Sequence, residues 1–187
     1  MWKNWSGYVE CPRTPVLTPD SGAALASVLA DAARGGKPVR MVGAGHSFSP
    51  LVASDGVIVS LDKLQGVMAV DAATRVARVH AGTRLYALGA ALAQRGLAME
   101  NLGDINVQSI AGATRTGTHG TGLAFGNLAT QIAALKFVTA DGREHVASPT
   151  EDPALFAGGR IGLGSLGVLT EVCLRLVPAF RLRLERG

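Results

Sequence analysis

A short aliphatic run that ends in a glycine loop, at residues 39–50, constrains the fold of this chain most strongly. The aliphatic residues predict a β-strand, and Gly43 and Gly45 then let the backbone approach a bulky group closely. Successive N–H groups in such a turn form a concavity that binds anions. His46 follows at the rim, and Pro50 prevents regular structure from resuming at once. The pattern therefore predicts a strand that leads into an anion-binding loop.

The segments on either side of this loop predict a compact βαβ lobe. A short strand and turn at residues 16–20 lead into a helix that Asp20 or Ser21 is placed to cap, and the glycine pair at residues 35–36 ends that helix. Another apolar strand, at residues 56–61, follows the loop. This order of strand, helix, strand, loop and strand is typical of such a unit.

More strands and helices are predicted after residue 62. Residues 72–74, between two alternating runs, predict one hairpin, and the Asp-Gly pair at residues 141–142 predicts a second, tight hairpin. Leucines at helical spacing after Thr83 predict a helix that Gly96 ends. Residues 101–122 lack strong periodicity, and a loop this long inside a compact domain is usually functional. Period-2 alternation or apolar runs predict strands at residues 67–71, 75–80, 132–139, 144–147, 167–177 and 181–184, and a short helix is predicted at residues 153–157.

Charge and apolar pattern exclude several classes of function. The net charge is +4 and nine residues are Phe, Trp or Tyr, so no basic stripe interleaved with aromatic side chains indicates a nucleic-acid partner. No apolar run reaches the roughly 18 residues of a membrane span, and the amino terminus lacks the apolar core of a signal peptide. Cys11 and Cys173 make no disulfide framework, and Cys173 is expected to be a small buried side chain. We therefore expect a cytoplasmic protein.

Several catalytic motifs are absent or wrongly placed. Residues 162–167 match the G-x-G-x-x-G expression of dinucleotide-binding folds, but an alternating β pattern follows them where that fingerprint needs a helix. A glycine-rich turn that contacts a ligand is the favoured interpretation. The four histidines show no i, i+4 pair and no nearby carboxylate cluster, which predicts no metal site. The G-x-S-x-G elbow of serine hydrolases does not occur.

Two glycine-flanked histidines remain, His46 in residues 43–47 and His119 in residues 116–122. Each histidine alone is equally compatible with a loop residue whose ring caps a backbone group. Together with neighbouring serines and threonines, however, the two loops offer many hydrogen-bond donors without bulk. Such a surface suits a large, flat, phosphate-bearing cofactor.

Five runs carry a family resemblance: Gly-Ala-Gly-His-Ser-Phe-Ser-Pro, Asn-Leu-Gly-Asp, Ser-Ile-Ala-Gly, Thr-Gly-Thr-His-Gly-Thr-Gly and Gly-Ser-Leu-Gly-Val. They occupy residues 43–50, 101–104, 109–112, 116–122 and 164–168. In this order they resemble the PCMH-type FAD-binding domain of the FAD-linked sugar-lactone and alditol oxidases. That group, within the vanillyl-alcohol-oxidase superfamily, includes D-arabinono-1,4-lactone oxidase, L-gulonolactone oxidase and alditol oxidase.

The resemblance covers essentially the whole chain and implies an α+β fold with FAD between two lobes. The small lobe, residues 1–62, would have mostly parallel strands. The larger lobe, residues 63–187, would have a mixed or antiparallel sheet flanked by helices.

The resemblance also implies which residues hold FAD. His46 matches the histidine that, in this group, bonds covalently to the 8α carbon of the isoalloxazine ring. Val168 would contact the adenosine end, and Gly103 and Asp104 would face the reactive edge of the ring. The loop implied to wrap the pyrophosphate consists of Met41, Val42, Gly43, Ala44, Gly45, His46 and Ser47. The residues implied to line the flavin, its ribityl chain and its phosphates are Ser109, Gly112, Thr116, Gly117, Thr118 and His119.

The activity implied is oxidation of a CH–OH group of a sugar lactone or polyol by hydride transfer to flavin N5, with dioxygen as acceptor and hydrogen peroxide as product. A neutral imidazole is nucleophilic near physiological pH, which suits His46 to a covalent bond with the cofactor. Gly103 has no side chain and would leave oxygen a path to the ring. An oxidase is therefore favoured over a dehydrogenase that uses another electron acceptor.

Two features depart from the family pattern. The carboxy-terminal cap domain, which carries the group's substrate-binding and proton-accepting residues, is expected to be absent from these 187 residues, so no catalytic residue is assigned within them. The chain is then either a fragment of such an oxidase or a non-catalytic FAD-binding module that needs a partner chain. Arg115 stands where the family more often has a smaller residue, so the packing of its loop is expected to differ.

Overall fold

The computed structural model describes residues 1–183 and 185. The helices are α1 (Gly22–Arg34), α2 (Leu85–Ala93), α3 (Ile110–Arg115) and α4 (Pro153–Gly159). The strands are β1 (Trp2–Lys3), β2 (Glu10–Cys11), β3 (Val16–Leu17), β4 (Val39–Val42), β5 (Val57–Ser60), β6 (Val67–Asp71), β7 (Val76–His80), β8 (Leu97–Ala98), β9 (Ile132–Val138), β10 (Glu144–Ala147), β11 (Val168–Arg175) and β12 (Val177–Pro178).

The predicted βαβ lobe is confirmed as a parallel sheet with strand order β3-β5-β4. The Ser21 hydroxyl caps α1 by accepting a 3.2 Å hydrogen bond from the Ala24 N–H, and Gly35 forms the C-cap. Leu25 and Leu29 bury the inner face of that helix. Because α1 links β3 to β4 as a crossover, both strands pair with β5 in the same direction. β4 therefore ends at the carboxyl edge of the sheet, where its loop begins.

An antiparallel sheet with strand order β10-β9-β11-β7-β6 forms the second layer. Both predicted hairpins are confirmed, with turns at residues 72–75 and 139–143. The predicted leucine face of α2 is also confirmed, since Leu85, Leu88 and Leu92 are buried. Together the two sheets and their helices make the α+β fold that the resemblance implied.

One apolar core connects the two sheets. It joins Leu25 of α1, Val59 of β5, Leu88 of α2, Phe137 of β9 and Val172 of β11, all fully buried. Each such side chain contributes about 1.5–3 kcal/mol through burial. Since this core runs through both layers, the division into lobes at residue 62 stays a prediction.

The predicted long loop at residues 101–122 contains a helix, so that prediction was partly wrong. The Ser109 hydroxyl caps α3 by accepting from the Gly112 N–H at 3.2 Å. Backbone N–H groups of Ile110 and Ala111 donate to the carbonyls of Thr83 and Ala81 at 2.8 and 3.1 Å. A helix of six residues is too short to show periodicity, and these contacts from distant residues hold it in place.

Smaller predictions had mixed outcomes. α2 begins at Leu85 with Arg84 as N-cap, two residues after the predicted start at Thr83. Residues 181–183 form no strand, and Leu184, the end of the strand predicted there, lies outside the described residues. Cys11 and Cys173 are both free thiols; Cys173 is half-buried, and burial raises the pKa of its thiol. Among the described helices, none is long and apolar enough to cross a membrane.

Candidate functional site

A cleft of about 260 Å³ lies where three segments meet. These segments are the loop after β4, the amino-terminal part of α3, and the glycine-rich turn between α4 and β11. A second cavity of about 390 Å³ adjoins it, because His46 and Gln108 line both. The two cavities therefore form one elongated site, with His46 at the junction.

The loop after β4 owes its two glycines to different physical causes. A methyl group built on Gly43 would overlap the Ser109 hydroxyl, so Gly43 lets β4 end directly against the cap of α3. Gly45 has φ +65°, a left-handed conformation that side chains other than glycine's adopt at a cost. Together they bring the backbone of residues 43–47 to the wall of the cleft, as the sequence predicted.

His46 is held in place by the amino-terminal segment. Its ring stacks on Trp5 with centroids 4.6 Å apart and planes 10° apart, and Trp5 Nε1 donates a 3.1 Å hydrogen bond to the His46 carbonyl. Phe48 packs against Trp5 edge-on at 5.6 Å. The buried Asn4 side chain donates from Nδ2 to the Ser47 carbonyl at 3.0 Å. The imidazole therefore has a defined position at the junction of the two cavities.

The second wall is built from two loops packed closely together. Gln108 Nε2 donates to Thr118 Oγ1 at 3.1 Å, which ties the loop before α3 to the loop after it. His119 Nδ1 lies 2.9 Å from the Gly120 carbonyl. A methyl group built on Gly103 would lie 2.8 Å from Thr118 Cγ2 and 3.3 Å from the His119 carbonyl. Close packing against residues 118–119 is thus one reason for glycine at position 103.

Polar atoms of two side chains beside the cleft are buried without partners among the residues that the structure describes. Gln108 Oε1 accepts no hydrogen bond, and none of the three guanidinium nitrogens of Arg115 donates one. Arg115 stacks instead over the ring of Phe137, with Cζ 5.3 Å from its centroid. Burial lowers the pKa of Arg115 to about 10, so the group still carries its charge at neutral pH. The unpaired Gln108 oxygen and the unpaired Arg115 cation therefore indicate a polar ligand that carries negative charge.

The structure places most of the predicted site residues on this surface. Two exceptions are Val168, which is buried in β11 while its neighbours Gly167 and Leu169 line the cleft, and Gly117, which lies in the turn after α3. The first cleft is lined by Met41, Val42, Gly43, Ala44, Gly45, His46, Ser47, Ser109, Gly112 and Thr116. The adjoining cavity is lined by His46, Gly103, Asp104, Thr118 and His119.

The glycine-rich turn at residues 162–167 leads into β11, which agrees with the sequence argument against a Rossmann site. Leu163, Gly164 and Gly167 of this turn line the cleft, so it does face the site. Leu163 has φ +48°, an unusual value for a bulky residue. Within residues 1–183 and 185, no three His, Cys, Asp or Glu side chains come together to hold a metal.

Sequence reasoning did not assign four residues that shape this site: Asn4, Trp5, Gln108 and Arg115. Arg115 was notable only as a departure from a family pattern. Asn4 and Trp5 contact residues more than 40 positions away in sequence, and no local pattern reveals such contacts.

The site fits FAD on its own geometry. Backbone free of side-chain bulk lies at Gly43 and Gly45, where a diphosphate needs close approach. Unpaired donors on Arg115 and an unpaired acceptor on Gln108 match a ligand that carries anionic oxygens and N–H groups. The residues that would hold FAD are therefore those of the β4 loop, the start of α3 and the second wall.

Comparisons with known proteins agree with this geometry. The family of FAD-binding domains matches residues 14–148. An L-gulono-1,4-lactone dehydrogenase of Mycobacterium tuberculosis is 45% identical over 97% of this chain and 42% of its own length. The L-gulonolactone oxidase of Mus musculus is 36% identical over 97% of the chain and 41% of its length. A D-arabinono-1,4-lactone oxidase of Yarrowia lipolytica is 36% identical over 95% of this chain and 35% of its own length.

Solved structures share the fold. A xylooligosaccharide oxidase from Myceliophthora thermophila superimposes with a TM-score of 0.84 at 25% identity, over 95% of this chain and 38% of its own. A cholesterol oxidase from Brevibacterium sterolicum, 22% identical, reaches the same TM-score over 95% of this chain and 37% of its own. This chain thus spans about two fifths of the length of the curated relatives first compared, at 42% and 41%. From the cleft, its donor set and the matched residues, the chain belongs to the family of FAD-binding domains.

Proposed function

We propose that this chain is the FAD-binding part of an oxidoreductase that oxidises a CH–OH group of a sugar lactone. The observation that carries the proposal is the elongated cleft with His46 at its junction, in a chain whose relatives are named for L-gulonolactone and D-arabinono-1,4-lactone. An alditol is the alternative substrate class. Either substrate would occupy the cavity beyond His46, bounded by Gly103 and Asp104.

The residues of the chain bind and orient the cofactor. The backbone of residues 43–47 would take the diphosphate, because glycine leaves its N–H groups accessible. Gln108 would accept a hydrogen bond from the ring through its unpaired Oε1. Bound FAD supplies a hydride acceptor, the N5 atom of the isoalloxazine. The second wall, at residues 118–119, would exclude water from one face of the ring.

His46 would also attach the cofactor covalently. The stacked Trp5 ring holds the imidazole at the junction of the two cavities, which is where the ring of FAD would meet it. The new bond would replace an imidazole N–H and a C–H of the 8α methyl group. Two electrons and two protons would therefore leave, and dioxygen would accept them as hydrogen peroxide. Attachment prevents dissociation and withdraws electron density from the ring.

We propose dioxygen as the electron acceptor in turnover, which makes the protein an oxidase. A dehydrogenase is the second candidate, because the relative with 45% identity bears that name. A non-catalytic FAD-binding module that works with a partner chain is a third, and it predicts bound FAD without turnover. The cytoplasmic location stays a prediction from sequence.

Purified protein from cells grown with ample riboflavin tests the function. We expect about one FAD per chain. In the product of the complete gene, L-gulono-1,4-lactone or D-arabinono-1,4-lactone should bleach the yellow absorbance under anaerobic conditions, and xylitol should serve as the matched alditol. A colourless protein would contradict cofactor binding. Bound FAD that no lactone or alditol bleaches would favour the module instead.

Replacing Gly103 by alanine tests the electron acceptor in the same full-length protein. If oxygen approaches the ring beside Gly103, the rate at which dioxygen restores the yellow absorbance should fall, while reaction with a soluble dye acceptor stays unchanged. The added methyl would also press on Thr118, at 2.8 Å from Cγ2, so packing alone is a competing cause.

Combining Gly103→Ala with Thr118→Ser separates the two causes. Serine keeps the hydroxyl that accepts from Gln108 and removes the methyl group that collides. An oxygen-access role predicts slow reoxidation in the double variant as well. Recovery of the oxygen rate in the double variant would assign the effect to packing, and an unchanged rate in Gly103→Ala alone would favour the dehydrogenase.

A further inference from the structure

The side chain of Arg115 is a buried cation without a counter-charge, beside the cleft. It is the last residue of α3, and only 6% of it is exposed. None of its guanidinium nitrogens donates a hydrogen bond to any residue within 1–183 and 185. Burial lowers its pKa, and no carboxylate of residues 1–183 and 185 accepts a hydrogen bond from it.

Two other arginines of the described residues are partly satisfied. Arg84 pairs with Asp62 at 2.6 Å, and only its Nη1 atom is buried without a partner. Arg160 likewise stacks over a phenylalanine, with Cζ 5.2 Å from the ring centroid of Phe156, but only its Nε atom is buried without a partner. A stacked ring satisfies none of the five N–H donors that Arg115 carries. Buried charges in folded proteins are normally paired, so Arg115 indicates a missing anionic partner.

The position of the guanidinium identifies which part of a ligand it would meet. A methyl group built on Gly162 would lie 3.3 Å from Arg115 Nη2, so the charge sits against the glycine-rich turn. Arg115 and that turn line only the first cleft, whereas His46 and Gln108 lie at the junction with the second cavity. With the flavin ring at His46, Arg115 faces the half of FAD that contains the diphosphate and adenosine.

We propose that Arg115 binds the diphosphate of FAD through its guanidinium, as an anion-binding group added to the backbone loop at residues 43–47. The proposal rests on the proposed function, because it places FAD in the cleft. A guanidinium presents parallel N–H groups that match two oxygens of a phosphate, and its charge is offset by theirs. Within the part of the chain that the structure describes, no protein group accepts a hydrogen bond from this guanidinium. It acts in binding, not in the reaction at the ring.

ADP and adenosine are the probes that test it, since they differ by the diphosphate alone. Both are titrated into flavin-free protein from a riboflavin-starved host by calorimetry. Arg115→Met should weaken ADP about 10- to 100-fold, because a charge-assisted hydrogen bond is lost, and should change adenosine affinity by less than about twofold. Arg115→Lys keeps the charge but loses the planar fork, so its loss should fall between the wild type and Arg115→Met.

Arg160→Met is the matched control, because it removes a second stacked arginine that does not line the cleft. It should leave both affinities unchanged. The thermal midpoint of ligand-free protein gives an independent readout. Arg115→Met should keep or raise that midpoint, because an unpaired buried charge is removed. A merely structural role predicts the opposite, a lower midpoint with equal losses for ADP and adenosine.

The outcomes separate this inference from the proposed function. Wild-type protein that binds neither FAD nor ADP would contradict the function itself. If both Arg115 variants bind ADP as tightly as the wild-type protein does, that result would overturn only the role of Arg115. Equal weakening of ADP and adenosine would also overturn it, by assigning the effect to the adenine end or to packing. If Arg115→Met does not fold, the ratio of ADP to adenosine affinity in Arg115→Lys decides.

Discussion

Replacing His46 by alanine should abolish covalent attachment of FAD completely. The wild-type chain, denatured and separated from small molecules, is expected to keep its yellow absorbance and the mass of one FAD. The variant should lose both, because the other described residue that lines both cavities, Gln108, carries an amide, which is not a nucleophile. Intact-protein mass spectrometry under denaturing conditions measures the difference directly. Native FAD binding should persist in the variant, since the loop backbone at residues 43–47 is unchanged.

His119→Ala is the matched control for this result. His119 lies in the second glycine-flanked loop, lines only the second cavity, and contacts the Gly120 carbonyl through Nδ1. It should keep the covalent flavin. Trp5→Phe keeps an aromatic ring for stacking and removes the Nε1 donor to the His46 carbonyl, so attachment should slow but still occur. Covalent flavin in His46→Ala would contradict the assignment of His46 as the attachment residue. Wild-type protein whose FAD is released on denaturation would contradict it as well.

Replacing Gly43 by alanine should weaken FAD binding by about 5- to 150-fold. The added methyl would overlap the Ser109 hydroxyl, and overpacking of this kind costs about 1–3 kcal/mol. Relief of the overlap would separate the end of β4 from the cap of α3, the two segments that form the cleft wall. Fluorescence titration of flavin-free protein with FAD, in the His46→Ala background so that binding is reversible, measures the loss.

A second substitution at Ser109 tests the cause. Ser109→Ala alone removes the α3 cap, at about 1 kcal/mol. In Gly43→Ala with Ser109→Ala the overlapping oxygen is gone, and the remaining contact to Ser109 Cβ is 3.2 Å. The loss of FAD affinity in the double variant should therefore be smaller than the sum of the losses in the two single variants. Gly89→Ala is the control glycine: its Cβ meets nothing within 4 Å in α2, so it should stabilise the protein by about 0.5–1 kcal/mol and leave FAD affinity unchanged. Strict additivity of the two losses would contradict the steric account.

The fold was predictable wherever the cause is local. Alternation and helical spacing located α1, β4, β5 and both hairpins, because each pattern reports which face of an element is buried. α3 escaped this reasoning. Its six residues span fewer than two turns, and hydrogen bonds to Ala81 and Thr83 stabilise it.

The candidate site was predictable to the same extent. The glycine and histidine runs indicated the β4 loop and the second wall because turns that lack side-chain bulk have few other uses next to buried strands. The residues that complete the site are ordinary in sequence. Gln108 is a single glutamine in an irregular stretch. Its amide nitrogen donates a hydrogen bond to Thr118, and its oxygen is left unpaired.

The sequence by itself determined α1, β4, β5 and both hairpins, the anion-binding loop with His46, and the rejection of residues 162–167 as a Rossmann fingerprint. These follow from residue types within a few positions of each other. The tertiary structure alone decided that Trp5 fixes the ring of His46, that Thr118 fills the space beside Gly103, and that Arg115 is buried without a counter-charge. The physical reason is that burial and pairing depend on which distant segments meet, and a guanidinium gives no sign in sequence of whether water, a carboxylate or a bound phosphate will surround it.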